Sequence, residues 1–279
     1  MAEMNTLMSG LVFGESPRWY NNRLYGFDIA TNEVFAVDLA GNHEVVAREP
    51  AGIASIGFLD DALLVAGRNG LIRRRLPDGS FETYADLSSI SDKHWNDMVV
   101  DGRGNLYIGN IGFDFPGGEF RPGLLALVSN DGSARPVADA TAFANGMVVT
   151  ADKSTLIVAE TYAHRLTAFD IGTDGSLSNR RVWAEVPASF PDGIALDSEG
   201  AVWYADVPGK RCVRVAEGGN VLQTLELDRG CFACALGGQD GSTLFMFAAS
   251  FPPTSRGPDA ERTGQVLTIQ APAPHAGWP

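Results

Sequence analysis

The chain has 279 residues, 45% of them apolar and 20% charged, and carries a formal net charge of −13. An acidic surface of this kind excludes nucleic acid and anionic membranes as natural partners, because both reward clustered Lys and Arg. No apolar run approaches the roughly 20 residues that cross a bilayer, and Met1-Ala-Glu-Met-Asn5 has no basic or apolar leader region, so the expected compartment is the cytoplasm.

In chain order, short apolar runs alternate with turns rich in Gly, Asn and Asp. Thr6–Val12 is predicted as a strand that closes the fold from the amino-terminal side. Six units then begin at Glu15, Ser55, Asn96, Asn145, Asp192 and Ala233, in steps of 40, 41, 49, 47 and 41 residues. In each unit a polar turn follows, such as Asn21-Asn22, Asp60-Asp61 or Asp101-Gly-Arg-Gly104. A second apolar strand comes next, beginning at Leu24, Leu63, Leu106, Leu156, Val202 and Leu244 in turn. A more amphipathic strand and another turn complete the unit, as in Arg165–Phe169 before Thr173-Asp-Gly175. Gly264–Ile269 is predicted as a late strand of the sixth unit. Runs bounded by Asp-Gly and Asn-Gly turns are hairpin signals, and nothing carries a long helical period. A period of about 40 to 50 residues with four strands points to an all-β, six-bladed β-propeller of four-stranded antiparallel blades, expected as one domain over 1–279.

Three cysteines occur, Cys212, Cys231 and Cys234. Cys231-Phe-Ala-Cys234 has no second CxxC or His pair to build a zinc site and no βαβ context for redox work, so small buried thiols are expected.

The innermost strands of a propeller line its central channel, so equivalent unit starts meet around one axis. Four of the six starts, Glu15, Asn96, Asn145 and Asp192, carry carboxylate or amide oxygens. Asn-Gly and Asp-Gly are also ordinary turn dipeptides, yet these precede strands at equivalent positions. Hard oxygen donors with two acids suit one divalent metal ion, Ca²⁺ first, with Zn²⁺, Mn²⁺ or Mg²⁺ able to bind the same oxygens.

Gly14-Glu-Ser-Pro17, Asn96-Asp97, Asn145-Gly146 and Pro191-Asp-Gly-Ile-Ala-Leu196 resemble the signature segments of the SMP-30/gluconolactonase family, over about residues 10 to 270. The resemblance implies a calcium-dependent six-bladed propeller. In it Glu15, Asn145 and Asp192 hold the metal, Asn96 ligates it or contacts substrate, and Asp192 acts as general base. The sequence departs from the sugar-lactonase pattern at His94-Trp95, where an Arg often stands two residues before the Asn. It departs again in the bulky aromatic segment Gly109–Gly118. Both departures point to a less polar or differently shaped substrate.

The expected chemistry is opening of a small-molecule lactone, with the cation polarising the carbonyl and Asp192 or Asp97 taking the proton of water. His94, Trp95, Asn96 and Phe113 are candidate substrate contacts, and Phe115 and Phe143 candidates for the pocket mouth. Glu160-Thr-Tyr162 and Asp206, at the ends of second strands, are placed near the same face. A related hydrolase acting on another ester or a phosphoester, and a non-catalytic calcium-binding propeller, share the same residues. No GxSxG, HExxH, P-loop or Rossmann motif is present to direct the reading elsewhere.

Overall fold

A computed structural model describes residues 3–49, 51–251 and 260–279; Met1 and Ala2 of the leader reading lie outside them. The chain starts with β1 (Asn5–Leu11). Blade one follows as β2 (Gly14–Tyr20), β3 (Arg23–Asp28), β4 (Glu33–Val37) and β5 (His43–Arg48), and blade two as β6 (Ile53–Leu59), β7 (Ala62–Gly67), β8 (Leu71–Arg75) and β9 (Phe81–Asp86). Blade three is β10 (Trp95–Val100), β11 (Leu106–Asn110), β12 (Gly123–Val128) and β13 (Ala134–Thr141); blade four is β14 (Ala144–Val149), β15 (Thr155–Glu160), β16 (Arg165–Ile171) and β17 (Leu177–Glu185). Blade five is β18 (Pro191–Leu196), β19 (Val202–Asp206), β20 (Arg211–Val215) and β21 (Val221–Glu226). Blade six comprises β22 (Gly230–Gly237), β23 (Thr243–Ala249), β24 (Gly264–Gln270) and, as its outermost strand, β1. All pairings are antiparallel, so the fold is the six-bladed propeller expected from the repeat. The predicted closure by the amino-terminal strand is realised in the β1–β24 pairing.

Local chemistry sets the turns. Asn21-Asn22 and Asp60-Asp61 both hold two successive residues at positive φ, the geometry of a two-residue hairpin whose twist matches the strands. The β10–β11 and β18–β19 turns instead use a buried aspartate. Asp101 accepts from the N–H of Arg103 and Asn105 at 2.7 and 2.9 Å, and Asp197 does the same for Glu199 and Ala201 at 3.0 Å each.

The apolar core is divided into six seams, one between each pair of neighbouring blades. Both faces of a blade are therefore buried. In β15, Leu156 and Val158 enter the seam with blade three and Ile157 and Ala159 the seam with blade five. Second strands thus read as continuous apolar runs, such as Leu156-Ile-Val-Ala159. Cys212, Cys231 and Cys234 are free thiols buried in the seam between blades five and six, as expected.

Beyond β24 the chain crosses the end of the channel where the inner strands finish. Ala276 N–H donates to Leu196 O at 3.0 Å, and Trp278 and Val149 exchange two backbone bonds of 2.9 Å each. The Trp278 ring covers Gly102, where a Cβ would collide with it. A void of about 10 Å³ is left between this tail and the inner strands of blades four to six, room for about one water.

The Phe247 ring fills the seam between blades six and one against Gly14 and Gly26 and is fully buried. Phe247→Ala is expected to cost about 3–5 kcal/mol, measured as a lower midpoint in urea unfolding.

Candidate functional site

Every inner strand carries one residue more than its partner at its amino-terminal end. The extra residue lies between Glu15 and Arg18 in β2, Ile53 and Ser55 in β6, Trp95 and Met98 in β10, Ala144 and Met147 in β14, Pro191 and Ile194 in β18, and Cys231 and Ala233 in β22. Such a β-bulge re-aims side chains that a regular strand would send to alternate faces. The pairing also corrects two expected equivalences. Aligned on the second strands, the residues matching Glu15, Asn96, Asn145 and Asp192 are Ala54 and Phe232, not Ser55 and Ala233. The unit starts in blades two and six were one position out of register, because a bulge leaves no mark in residue type.

Glu15, Asn96, Asn145, Asp192 and Phe232 all line a cavity of about 550 Å³ at the channel mouth. The next ring inward is Ser16, Ser55, Asp97, Gly146, Gly193 and Ala233. Its polar half forms one network. Asp97 Oδ1 accepts from Ser55 Oγ at 2.5 Å, from Arg18 Nη2 at 2.9 Å and from Ser16 Oγ at 3.3 Å. Its small half lets the strands converge. A Cβ on Gly146 would meet Asp192 O and Ile194 N, and one on Gly193 would meet Ala233. Neither glycine has positive φ, so the Asn-Gly and Asp-Gly pairs here serve close approach and not turn geometry.

The two asparagines have their amide nitrogens committed to the wall. Asn96 Nδ2 donates to Ala144 O at 3.0 Å. Asn145 Nδ2 donates to Thr161 Oγ1 at 3.2 Å, and that hydroxyl donates onward to Pro191 O at 2.8 Å. Carbonyl acceptors at the far ends fix which amide atom is which, so each Oδ1 keeps its acceptor capacity.

Burial pushes the Glu15 carboxyl well above its usual range, and the charges of Asp192 and Asp97 push it further. Asp192 is raised by burial and then by Asp97, with Asn145 opposing. The cation at hand, Arg18, is spent on Asp97 and on the Pro17 and Met98 carbonyls. Two crowded carboxylates and two amide oxygens are a donor set that fits a hard divalent cation, whose charge would reverse this repulsion. Among the described residues, no group of three or more His, Cys, Asp or Glu side chains comes together as a metal cluster. The set is therefore a mixed carboxylate–carboxamide one.

A second device holds these residues in place. The last residue of the second strand is buried and polar in the blades that supply an oxygen donor: Asp28, Asn110, Glu160 and Asp206. Each bonds the backbone two or three residues before its blade's donor. Asp28 Oδ2 accepts from Val12 N at 2.8 Å, Asn110 Nδ2 donates to Lys93 O at 2.8 Å, Glu160 Oε2 accepts from Ala142 N at 2.7 Å, and Asp206 Oδ1 accepts from Phe190 N at 3.3 Å. The matching residues in blades two and six are Gly67 and Ala248. The sequence placed Glu160 and Asp206 near this face but missed Asp28 and Asn110, although all four share one register with the second-strand starts.

Of the expected substrate contacts, His94 is exposed and lines the cavity with Asn96. Trp95 borders it, but its side chain is buried in the seam with blade two, where Nε1 finds no partner. Phe113 does not line it. It packs behind the wall, edge-on to Phe115, Phe120 and Phe143. Phe115 and Phe143 do line the cavity. Phe143 holds a left-handed φ of 62°, strained for a bulky residue, two positions before Asn145. The carboxylate expected to be free at Asp97 instead has its Oδ1 bonded to Arg18, Ser16 and Ser55 and is off the cavity lining, because its bulge partner Asn96 takes the outer position.

The profile described as SMP-30/Gluconolactonase/LRE-like region matches residues 13–250. The pentonolactonase XacC of Haloferax volcanii is 29% identical over 85% of this chain and 81% of its own. Regucalcin of Gallus gallus is 27% identical over 85% of this chain and 83% of its own. A solved luciferin-regenerating enzyme superposes with a TM-score of 0.85 at 20% identity, covering 99% of this chain and 98% of that one, which is a likeness of fold.

Burial raises the Glu160 carboxyl, but hydrogen bonds from Thr167, Ala142 and Arg180 outweigh it and leave it below the ordinary glutamate range. A depressed folded value means the stabilisation is present above the unfolded value, about 4.3, and is lost as pH falls through the lower folded value. Glu160→Gln is expected to remove that acid-side slope and, by leaving Arg165 and Arg180 unpaired, to cost about 3 kcal/mol near neutral pH. Melting temperature followed from pH 7 to pH 3 checks both.

Proposed function

The chain belongs to the SMP-30/gluconolactonase/LRE-like family, and from that premise we propose that it hydrolyses lactones at the channel mouth, with Glu15, Asn96, Asn145 and Asp192 holding one divalent metal ion, Ca²⁺ by ligand type. The observation that carries the reading is the mixed set itself: two carboxyls and two amides on one cavity lining, with each amide nitrogen bonded to a neighbouring strand or turn. Relatives named as lactonases support the reaction class. When bound, the cation would supply positive charge against the oxyanion that develops on the lactone carbonyl.

The chain's own groups supply the rest. Asp192 lines the cavity and is assigned as general base, whereas Asp97 is tied to Arg18 in an ion pair whose side chains are 7% and 14% exposed for Arg18 and Asp97 respectively. Asp192 takes a proton from water as the water oxygen bonds to the carbonyl carbon. The tetrahedral adduct then collapses, the ring C–O bond breaks, and the leaving alkoxide recovers the proton from Asp192 to give a hydroxy acid. Asn96 and His94, on the same stretch of wall, orient the substrate.

The two aspartates are expected to separate by experiment. Asp97→Asn should act on folding, costing about 3–5 kcal/mol because it strands the buried Arg18. Asp192→Asn should lower lactone turnover by about 10²–10⁴-fold and weaken metal binding. Full activity of Asp192→Asn with metal bound would remove the base assignment. In the parent assay, a pH-indicator panel of lactones is run as purified, after chelator, and with Ca²⁺, Zn²⁺, Mn²⁺ or Mg²⁺ returned. Activity should vanish with chelator and return with one ion. Metal binding without turnover of any lactone would instead support a non-catalytic calcium protein or another electrophile.

A further inference from the structure

Beside Glu15, Asn96, Asn145 and Asp192, the cavity lining carries Arg68, His94 and Thr161, and the rest of it is apolar and largely aromatic. At the ring of bulge residues, the two positions without an oxygen donor are filled by Ala54 and by Phe232, whose ring lines the cavity. Phe232 stacks on Phe13 at 4.9 Å and meets Phe251 edge-on at 5.9 Å. Across the mouth, Phe143 packs against Phe115 at 5.0 Å and Tyr162 at 4.9 Å. All five exposed large aromatics among the described residues stand at this mouth: Phe115, Tyr162, Phe190 and Phe251 on the cavity wall, and Phe120 against Tyr162. The other exposed large apolar residues are aliphatic and lie elsewhere, such as Leu39, Val182 and Val221. Aromatic rings left in water at one place on a surface mark a contact to be made.

These rings face into a cavity of about 550 Å³, within the range of small-molecule pockets, about 300–1,000 Å³. A polyhydroxylated lactone would bring several hydroxyl groups against a lining whose polar side chains beyond the four oxygen donors are Arg68, His94 and Thr161, and each hydroxyl left facing a ring instead costs affinity. An apolar arm meets the opposite situation. Resting on the lactonase reading above, we propose that the substrate is a lactone carrying an extended alkyl or aryl arm. Its ester group lies at the four oxygen donors, and the arm lies between the wall of Phe115, Phe143 and Tyr162 and that of Phe13, Phe232 and Phe251. These six are then specificity-determining residues, and Phe232 takes the place of a donor to serve as one.

The test uses the full chain, a series of γ-lactones with arms from methyl to octyl, an aryl-fused lactone, and aldonolactones of the same ring size. The corresponding alkyl lactams, which resist hydrolysis, are titrated by calorimetry. Expected is a rise in kcat/KM of about three- to four-fold per added methylene until the cavity fills, with the aldonolactones at the bottom of the ranking. Lactam affinity should climb with the same slope. Phe115→Ser and Phe251→Ser, both at exposed positions, should each reduce the octyl-to-methyl ratio by about ten-fold. Aldonolactones turned over better than octyl lactones, or lactam binding indifferent to arm length, would overturn the inference. Lactam binding that climbs with arm length while no lactone is hydrolysed would uphold the apolar cavity and defeat the lactonase reading instead.

Discussion

A regular β-strand sends successive side chains to opposite faces, so an inner propeller strand can offer the channel only every second residue, the others being claimed by the seams. The single extra residue at the head of each inner strand lifts that restriction. Asn96 and Asp97 are consecutive, yet one lines the mouth and the other bonds across the axis to Ser16 and Ser55. Glu15 and Ser16 divide the same way. Two stacked rings of channel residues follow from this one irregularity, and the chemistry of the mouth depends on both.

The rings handle charge differently. The inner one is neutralised within the protein: Arg18 pairs with Asp97 and also bonds the Met98 carbonyl at 2.6 Å. The outer one is not settled in that way: Glu15 is pushed up by burial and then by the charges of Asp192 and Asp97, and Asp192 by burial and then by those of Asp97 and Asp206. Buried carboxyls pushed above their usual range, over a ring whose acid has a paired arginine, are a folding liability that a cation bound between them would relieve. The anchors at Asp28, Asn110, Glu160 and Asp206 hold the outer ring in that uncomfortable arrangement from behind, and only in the blades that contribute to it.

Much of this was written in residue type. The second-strand starts from Leu24 to Leu244, the closing strand near Thr6 and the four donors could be read because burial on both faces leaves continuous apolar runs and because oxygen donors recur at the blade period. What escaped reading depended on backbone geometry. Ser55 and Ala233 were aligned with Glu15 because a bulge shifts register by one without changing composition. Asp97 looked like a free acid because its partner Arg18 is 79 positions away in the chain. Trp95 and Phe113 belong to the right loops, but side-chain direction sent one ring into a seam and the other behind the wall. The glycines of Asn145-Gly146 and Asp192-Gly193 looked like turn residues, and their service is to let neighbouring inner strands touch.

Among the described residues, the tail that ties Leu196 and Val149 together lies across the end of the channel opposite the aromatic mouth. A through-channel could admit reactant on one side and discharge product on the other. Where both pass the same aromatic collar, a newly formed carboxylate has to leave past the donors that bound its precursor. Traffic in such a chamber is sequential: the next molecule waits for the last to clear. The dwell time of a hydroxy acid at that threshold would then govern throughput as much as the bond-breaking behind it.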